Sequence, residues 1–404
     1  MRRFALAGIP VVLALGGVET AHAQRGTGDW MTTAYDAQRS SWVRTDGKIS
    51  PTAMRKPGFE LVWKRKVDNA ARGLNNLTPP ALLDFYIGYR GFRSLGFFGG
   101  SSDYLLAVDT DLARTEWQKN FSPSQGAKAD SVDCPGGLTS AVTRPTQTAY
   151  PPLPAGRGSG RGSPAKSAVG EPHEGAALLK TMAARMPPRP AAPARPRTTT
   201  PAFNPFAPRV QYAVALTGDG KLHSLWVSNG NEPNPAVAFL PPNANAQGLI
   251  VYGDTAYAGT TNQCGGAANG VWALDLNTGK VRNWKASGNL GGTAGPAAGP
   301  DGTLYAAAGK ELTALAAGTL QPLATYRTSG AEFTSSPVVF EFHGKDLIAA
   351  ATNDGRLQLL DSAALGGAPL AQSEPFSAPE VAAGSVTSWQ DLSGNRGILA
   401  AAGG

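Results

Sequence analysis

A short apolar run, a polar turn and a returning strand recur along this chain at intervals in the forties, and that period constrains the fold more than any other feature. The clearest copy is VWALDLNTGKVRNW (271–284), in which Asp275 stands nine residues before Trp284. YLLAVDTDLARTEWQKNF (104–121) places Asp109 eight residues before Trp117. RLQLLDSAALGGAPLA (356–371) repeats the shape around Asp361, ELTALAAGTLQPLATY (311–326) has Ala316 in the aspartate position, and KLHSLWVSNG (221–230) fits loosely with Trp226 there. Successive markers at 226, 275, 316 and 361 are 49, 41 and 45 residues apart, and the gap from 109 to 226 has room for two units and much of an insertion. A companion apolar strand precedes the later markers, in GLIVYGDTAYAG (248–259), DGTLYAAAG (301–309) and KDLIAAATNDG (345–355), and RGILAAAGG (396–404) opens another.

Four short strands in a unit of this length are the signature of a β-propeller blade. Long helical periodicity is missing after the N-terminal stretch, which argues against βαβ units. The spacing therefore predicts an all-β chain: a β-propeller with four-stranded antiparallel blades and about six to seven blade positions, the last left incomplete. Either a strand around Leu61–Lys66 (LVWKRK) completes that blade, or the sequence is a fragment or ends in a degraded blade. Within the best copy, Asn277-Thr278-Gly279 forms a hairpin turn with Gly279 free to take positive φ, Asp275 accepts turn amides, and Trp284 packs on the neighbouring blade.

The N-terminal stretch MRRFALAGIPVVLALGGVETAHAQ has two arginines, a short apolar core and the A-x-A site Ala21-His22-Ala23. It predicts a secretory signal peptide over 1–23, a mature chain that is periplasmic or secreted, and no membrane span after cleavage. Cys134 and Cys264 are the only cysteines, and neither sits in a C-x-x-C pair. An oxidising compartment allows them to form a disulfide or to remain two free thiols. The chain's net charge of +7 is concentrated in residues 151–209, which hold nine Lys/Arg and two Glu. That Pro/Ala/Arg-rich segment reads as a disordered insert, with a short helix open over Gly175–Met186, between a first part of the propeller (24–150) and its remainder (210–404). Its two aromatic residues, Phe203 and Phe206, are confined to its C-terminal end and do not alternate with the arginines as a single-strand platform would need, so no nucleic-acid partner is expected.

With GDWMTTAYDAQRSSWVRTDGKISPTAMRKPGFELVWKRKV (28–67) ahead of repeats carrying ALDLNTGKVRNW, the chain resembles the pyrroloquinoline-quinone (PQQ) type propeller repeat family, which includes quinoprotein alcohol dehydrogenases and a non-enzymatic outer-membrane assembly lipoprotein. The resemblance implies that Asp275, Thr278, Gly279 and Trp284 are blade-docking residues, matched in part by Asp109 and Trp117 and by Asp361, which lacks the tryptophan. The family's enzymes carry vicinal cysteines over the quinone and acidic ligands for calcium. This sequence has no adjacent cysteines, and Asp133, Asn262, Asn353 and Asp354 are isolated polar residues near strand ends. The four histidines (22, 173, 223 and 343) offer no metal set, and no nucleophile elbow or phosphate loop is present. GNLGGTAGPAAGPDG (288–302) reads as an inter-blade loop. Trp42, Trp63, Trp226, Trp272 and Trp389 read as core or docking residues.

Two functions follow. The first is a binding or assembly scaffold for an unidentified small molecule or envelope protein. The alternative is a PQQ-dependent oxidoreductase acting on an alcohol or sugar, with PQQ and calcium as cofactors and catalytic residues that the sequence does not name. A cup lined by an arginine, an acid and a stacked tryptophan favours the enzyme, and a blocked centre favours the scaffold.

Overall fold

The computed structural model describes residues 29–43, 55–56, 58, 60–67, 69, 77–88, 90–121, 131–146, 211–378, 381–391 and 395–401. The signal stretch, the 151–209 insert with its candidate helix, His22 and His173 lie outside the described residues. Six antiparallel sheets follow one another along the chain. Blade I comprises β1 (Ala81–Gly88), β2 (Gly91–Gly99), β3 (Tyr104–Asp109) and β4 (Arg114–Asn120). Blade II has β5 (Tyr212–Leu216), β6 (Lys221–Trp226) and β7 (Val237–Ala238). Blade III has β8 (Asn245–Tyr252), β9 (Thr255–Thr261), β10 (Gly270–Asp275) and β11 (Val281–Lys285). Blade IV has β12 (Ala297–Ala298), β13 (Leu304–Ala308), β14 (Glu311–Leu315) and β15 (Pro322–Arg327). Blade V has β16 (Val338–Phe342), β17 (Lys345–Ala351), β18 (Leu357–Asp361) and β19 (Ala371–Gln372). Sheet VI is the pair β20 (Val386–Gln390) and β21 (Arg396–Ala400). The chain is thus a multi-blade β-propeller whose last described sheet has two strands.

Blade II is three-stranded by its named strands, but Thr143 bridges Val214 on the free side of β5. Residues around Thr143 therefore stand in the first-strand position, and residues 147–210 fall in sequence between the first and second strands of one blade. The second strands of blades III to V, TAYAGTT, LYAAA and KDLIAAA, are buried along nearly their whole length. Their small residues let neighbouring sheets approach, and the hydrophobic cores form at the junctions between blades. One core joins Ala81, Phe97 and Trp117 to Ala213 and Leu225, and another joins Tyr257 and Val271 to Leu304 and Leu315. Further cores join blades II–III, IV–V and V–VI.

One N-terminal segment bonds to the first-strand position of all six sheets in chain order. Trp30 exchanges backbone bonds with Leu82, and the carbonyl of Met31 accepts from the Arg144 amide. The Thr32 hydroxyl donates to the carbonyl of Leu249 at 2.6 Å. The carbonyls of Ala37 and Gln38 accept from the amides of Ala298 and Val339, and that of Ser40 from Ser388. First strands that all reach one short segment must converge on it, so residues 30–40 fill the ring axis. The segment is polar yet enclosed: Thr32, Asp36, Gln38, Arg39 and Ser40 are each at most 2% exposed. Polar groups buried to this degree need hydrogen-bond partners. Asp36 accepts from both the amide and the hydroxyl of Ser40, at 2.9 and 2.6 Å.

The 61–66 stretch forms no strand. Leu61 and Val62 are 80% and 85% exposed, and the stretch is tied to the β3–β4 turn by Trp63, whose indole donates to Thr110, and by Arg65, which donates to Ala113. It is Ser40, not this stretch, that bonds the two-stranded sixth sheet.

Candidate functional site

The marker aspartates all serve turns. The Asp275 carboxylate accepts the amides of Asn277 and Thr278, each at 3.0 Å, and these bonds, the Thr278 amide first, hold its pKa below the ordinary carboxylate value. Gly279 follows with φ 68° and nothing near its missing Cβ, so it is required by backbone conformation alone. Asp109 does the same for Asp111 and Leu112. Asp361 caps the short 3-10 turn at Ala363 and pairs with Lys345 at 3.0 Å, the contact that chiefly lowers its pKa. The tryptophans face the next blade. Trp117 donates its indole N–H to Val227 at 2.8 Å, and Trp284 packs at the III–IV junction. Of the other tryptophans, Trp272 donates to the Thr260 hydroxyl at 2.8 Å, whereas Trp226 and Trp389 are 38% and 41% exposed.

Cys134 and Cys264 are joined by a disulfide, with Cα atoms 5.5 Å apart. The bond ties the loop between blades I and II to the β9–β10 turn of blade III. The carbonyl of Asp133 reinforces it by accepting from the side-chain amides of Asn245 and Asn262. Asn262 and Gln263 take φ of 61° and 52°, two successive non-glycine residues in the left-handed region. Closing a loop of 130 residues restricts the unfolded chain, so replacing both cysteines with serine is expected to cost about 2–4 kcal/mol, read as a lower urea midpoint. An unchanged midpoint would show that the hydrogen bonds alone hold this loop.

The same end of the blades carries a cleft. The Asn289 side-chain oxygen accepts from the Asn262 amide at 3.2 Å and from the Asn269 side-chain amide at 2.7 Å, and so links the disulfide turn to the III–IV loop. Beyond Asn289 lies a solvent-open cleft of about 440 Å³, within the range of small-ligand sites. Its walls are the III–IV loop (Ser287, Asn289, Leu290), the β13–β14 turn (Lys310, Glu311), Arg327 at the end of β15, and the IV–V loop (Glu332, Phe333). Glu311 and Arg327 are direct cross-strand partners and form an ion pair, and Ser287 donates to Glu311 at 3.1 Å. No pattern in the sequence marked these residues: each charge taken singly reads as a solvated one, and only the turn positions 309–311 hinted that they share an end of one blade.

A second polar cluster spans blades I and II. His223 Nδ1 lies 3.0 Å from Glu232, which also pairs with Lys119. Burial holds the His223 pKa below its ordinary value, with Glu232 opposing, and Nε2 is buried without a partner. His343 lies on the separate turn after β16. Among the described residues no group of three or more His, Cys, Asp or Glu could hold a metal ion. The residues present do not fit PQQ with calcium: the cysteines pair across 130 residues rather than side by side, no acidic ligand set is assembled among the described residues, and the axis is taken by residues 30–40. Asn262 and Asn353 engage loop backbone with their side chains, Asp133 offers its own carbonyl to Asn245 and Asn262, and Asp354 accepts from the Thr352 hydroxyl.

The sheets and their docking residues define a propeller that resembles the PQQ-type proteins at the level of the fold. The chain is similar to the quinohemoprotein alcohol dehydrogenase from Comamonas testosteroni, with a TM-score of 0.50 and 14% identity over 88% of this chain and 50% of that enzyme. Other similar structures are the dihydro-heme d1 dehydrogenase NirN in complex with DHE (TM-score 0.39, 8% identity, 74% of this chain and 47% of that one) and BBS1N in complex with ARL6DN (0.43, 9%, 80% and 75%). The chain spans half the length of the alcohol dehydrogenase, and an identity this low speaks to fold alone. No protein-family model matches the sequence, and no curated protein matches it. Among the described residues no helix is long and apolar enough to cross a membrane.

Proposed function

We propose that the chain is an exported propeller that serves as a binding or assembly scaffold, rather than a quinone-dependent oxidoreductase. The observation that carries this reading is the axial segment. Residues 30–40 take the space on which the six first strands converge, and their polar groups are spent on the blades themselves. Arg39, the buried cation there, donates to the carbonyls of Thr33, Gly248 and Pro296. The signal-like N-terminus and a disulfide between the only two cysteines agree with an oxidising compartment, the periplasm or the exterior. What a scaffold offers a partner is its loops, and those of blades III to V are held firmly by side-chain amides.

The test is an absorbance titration of purified protein with PQQ and calcium, followed by dye reduction with alcohols and sugars. No saturable spectral change is expected. Saturable binding accompanied by dye reduction would overturn the scaffold reading in favour of the oxidoreductase.

A further inference from the structure

We infer that the cleft over blade IV binds a short peptide segment carrying both a cationic and an anionic side chain, an inference that rests on the scaffold reading. The cleft lies where β14 begins and β15 ends, and no residue of the axial segment lines it. Its four charged residues divide into two kinds. Glu311 and Arg327 satisfy each other, with Ser287 as a third partner. Lys310 and Glu332 also line the cleft, are exposed, and make no side-chain bond among the described residues.

Their backbones are nonetheless fixed. The Lys310 carbonyl accepts from the Thr328 amide at 3.0 Å. Glu332 exchanges two bonds with Asn353: its amide donates to the Asn353 side-chain oxygen at 2.9 Å, and its carbonyl accepts the Asn353 amide at 2.8 Å. One ammonium and one carboxylate are thus presented from rigid turns on the walls of one cleft. The lining charges sum to zero, so a ligand of one sign is attracted by one free group and repelled by the other. A ligand bearing both signs satisfies both, and this gives specificity by charge arrangement. Leu290 and Phe333, 8% and 5% exposed, form an apolar floor that suits the aliphatic stems of such side chains. A neutral saccharide would use the hydroxyl and amide groups and leave the two free charges without ionic partners.

The experiment is isothermal titration of the full chain with four probes: an end-blocked tetrapeptide of alternating lysine and glutamate, its all-lysine and all-glutamate counterparts, and maltotriose. The alternating peptide is expected to bind, at least about tenfold more tightly than either single-sign peptide, and to weaken as salt is raised. Lys310→Glu and Glu332→Lys are each expected to weaken it by about tenfold. Both side chains are exposed, and an unchanged thermal midpoint would confirm that the variants fold. Absence of binding by the alternating peptide, equal binding by the variants, or preference for maltotriose each overturns the peptide assignment. A positive PQQ titration overturns the scaffold reading instead, so the two failures are distinguishable.

Discussion

Replacing Arg39 with leucine is expected to destabilise the propeller by about 3–5 kcal/mol, measured as a lower midpoint in urea denaturation. Arg39 is 1% exposed and is the largest of the fully buried side chains. Its Nε donates to the carbonyl of Pro296 at 2.9 Å, Nη1 to that of Thr33 at 2.9 Å and Nη2 to that of Gly248 at 2.5 Å. The guanidinium therefore ties the axial segment to the first-strand regions of two blades. Burial drives its pKa down to about 9, with Asp36 opposing. The sign of that shift means the buried charge itself is a cost to folding, fully present below the lowered pKa and relieved only as pH rises through it towards the ordinary arginine value. The side chain stabilises through its donors, and leucine would remove the charge while leaving three buried carbonyls without partners. Lysine keeps the charge but not the planar fork, so Arg39→Lys should recover little. Gly248 takes φ 59°, and a Cβ there would lie 1.8 Å from the Ala294 carbonyl and 2.7 Å from Arg39 Nη2, so the fit depends on both residues. Arg65, on the exposed stretch beside blade I, is the control, and its replacement should change stability by no more than about 0.5 kcal/mol. Equal midpoints for Arg39→Leu and the Arg65 control would show that the axial segment does not hold the ring.

The contrast between these two arginines marks where the sequence stops being informative. The blades were legible because their signals are local. An aspartate two residues before the amides it accepts, a glycine at the one left-handed position and small apolar residues along a second strand are all set by near neighbours. The axial segment has no such pattern. Its partners lie as far along the chain as Ser388, and Ala34, Tyr35, Arg39 and Ser41 take positive φ against their own preferences. Only the finished ring imposes that conformation. LVWKRK, one of two alternatives for the unfinished last blade, is the opposite case: its apolar and basic composition reads as a strand, but among the described residues it pairs with no sheet. The cleft is not legible in the sequence because Ser287, Lys310, Arg327 and Glu332 come from four separate turns and strand ends, and their proximity is a product of topology.

Trp117→Ala is expected to cost about 3–5 kcal/mol, the range for truncating a buried aromatic side chain. The ring is 8% exposed, tilted against Phe97 at 6.0 Å, and shares one core with Ala213, Leu225 and Val227 of blade II. Gly230 completes the pocket, since a Cβ there would lie 2.6 Å from the indole. Removing the ring opens a cavity between two blades and strands the Val227 carbonyl that the indole N–H now meets at 2.8 Å. Trp117→Phe separates the two contributions: it keeps most of the packing and should lose about 1–3 kcal/mol, the cost of leaving the Val227 carbonyl without its donor. Trp284 occupies the matching place at the III–IV junction, but it is only half-buried and its indole makes no hydrogen bond among the described residues. Trp284→Ala should therefore cost roughly half as much as Trp117→Ala. If the two alanine variants unfold at the same urea concentration, the indole bond and the closer fit at Trp117 contribute nothing, and docking rests on the marker position rather than on what each tryptophan touches.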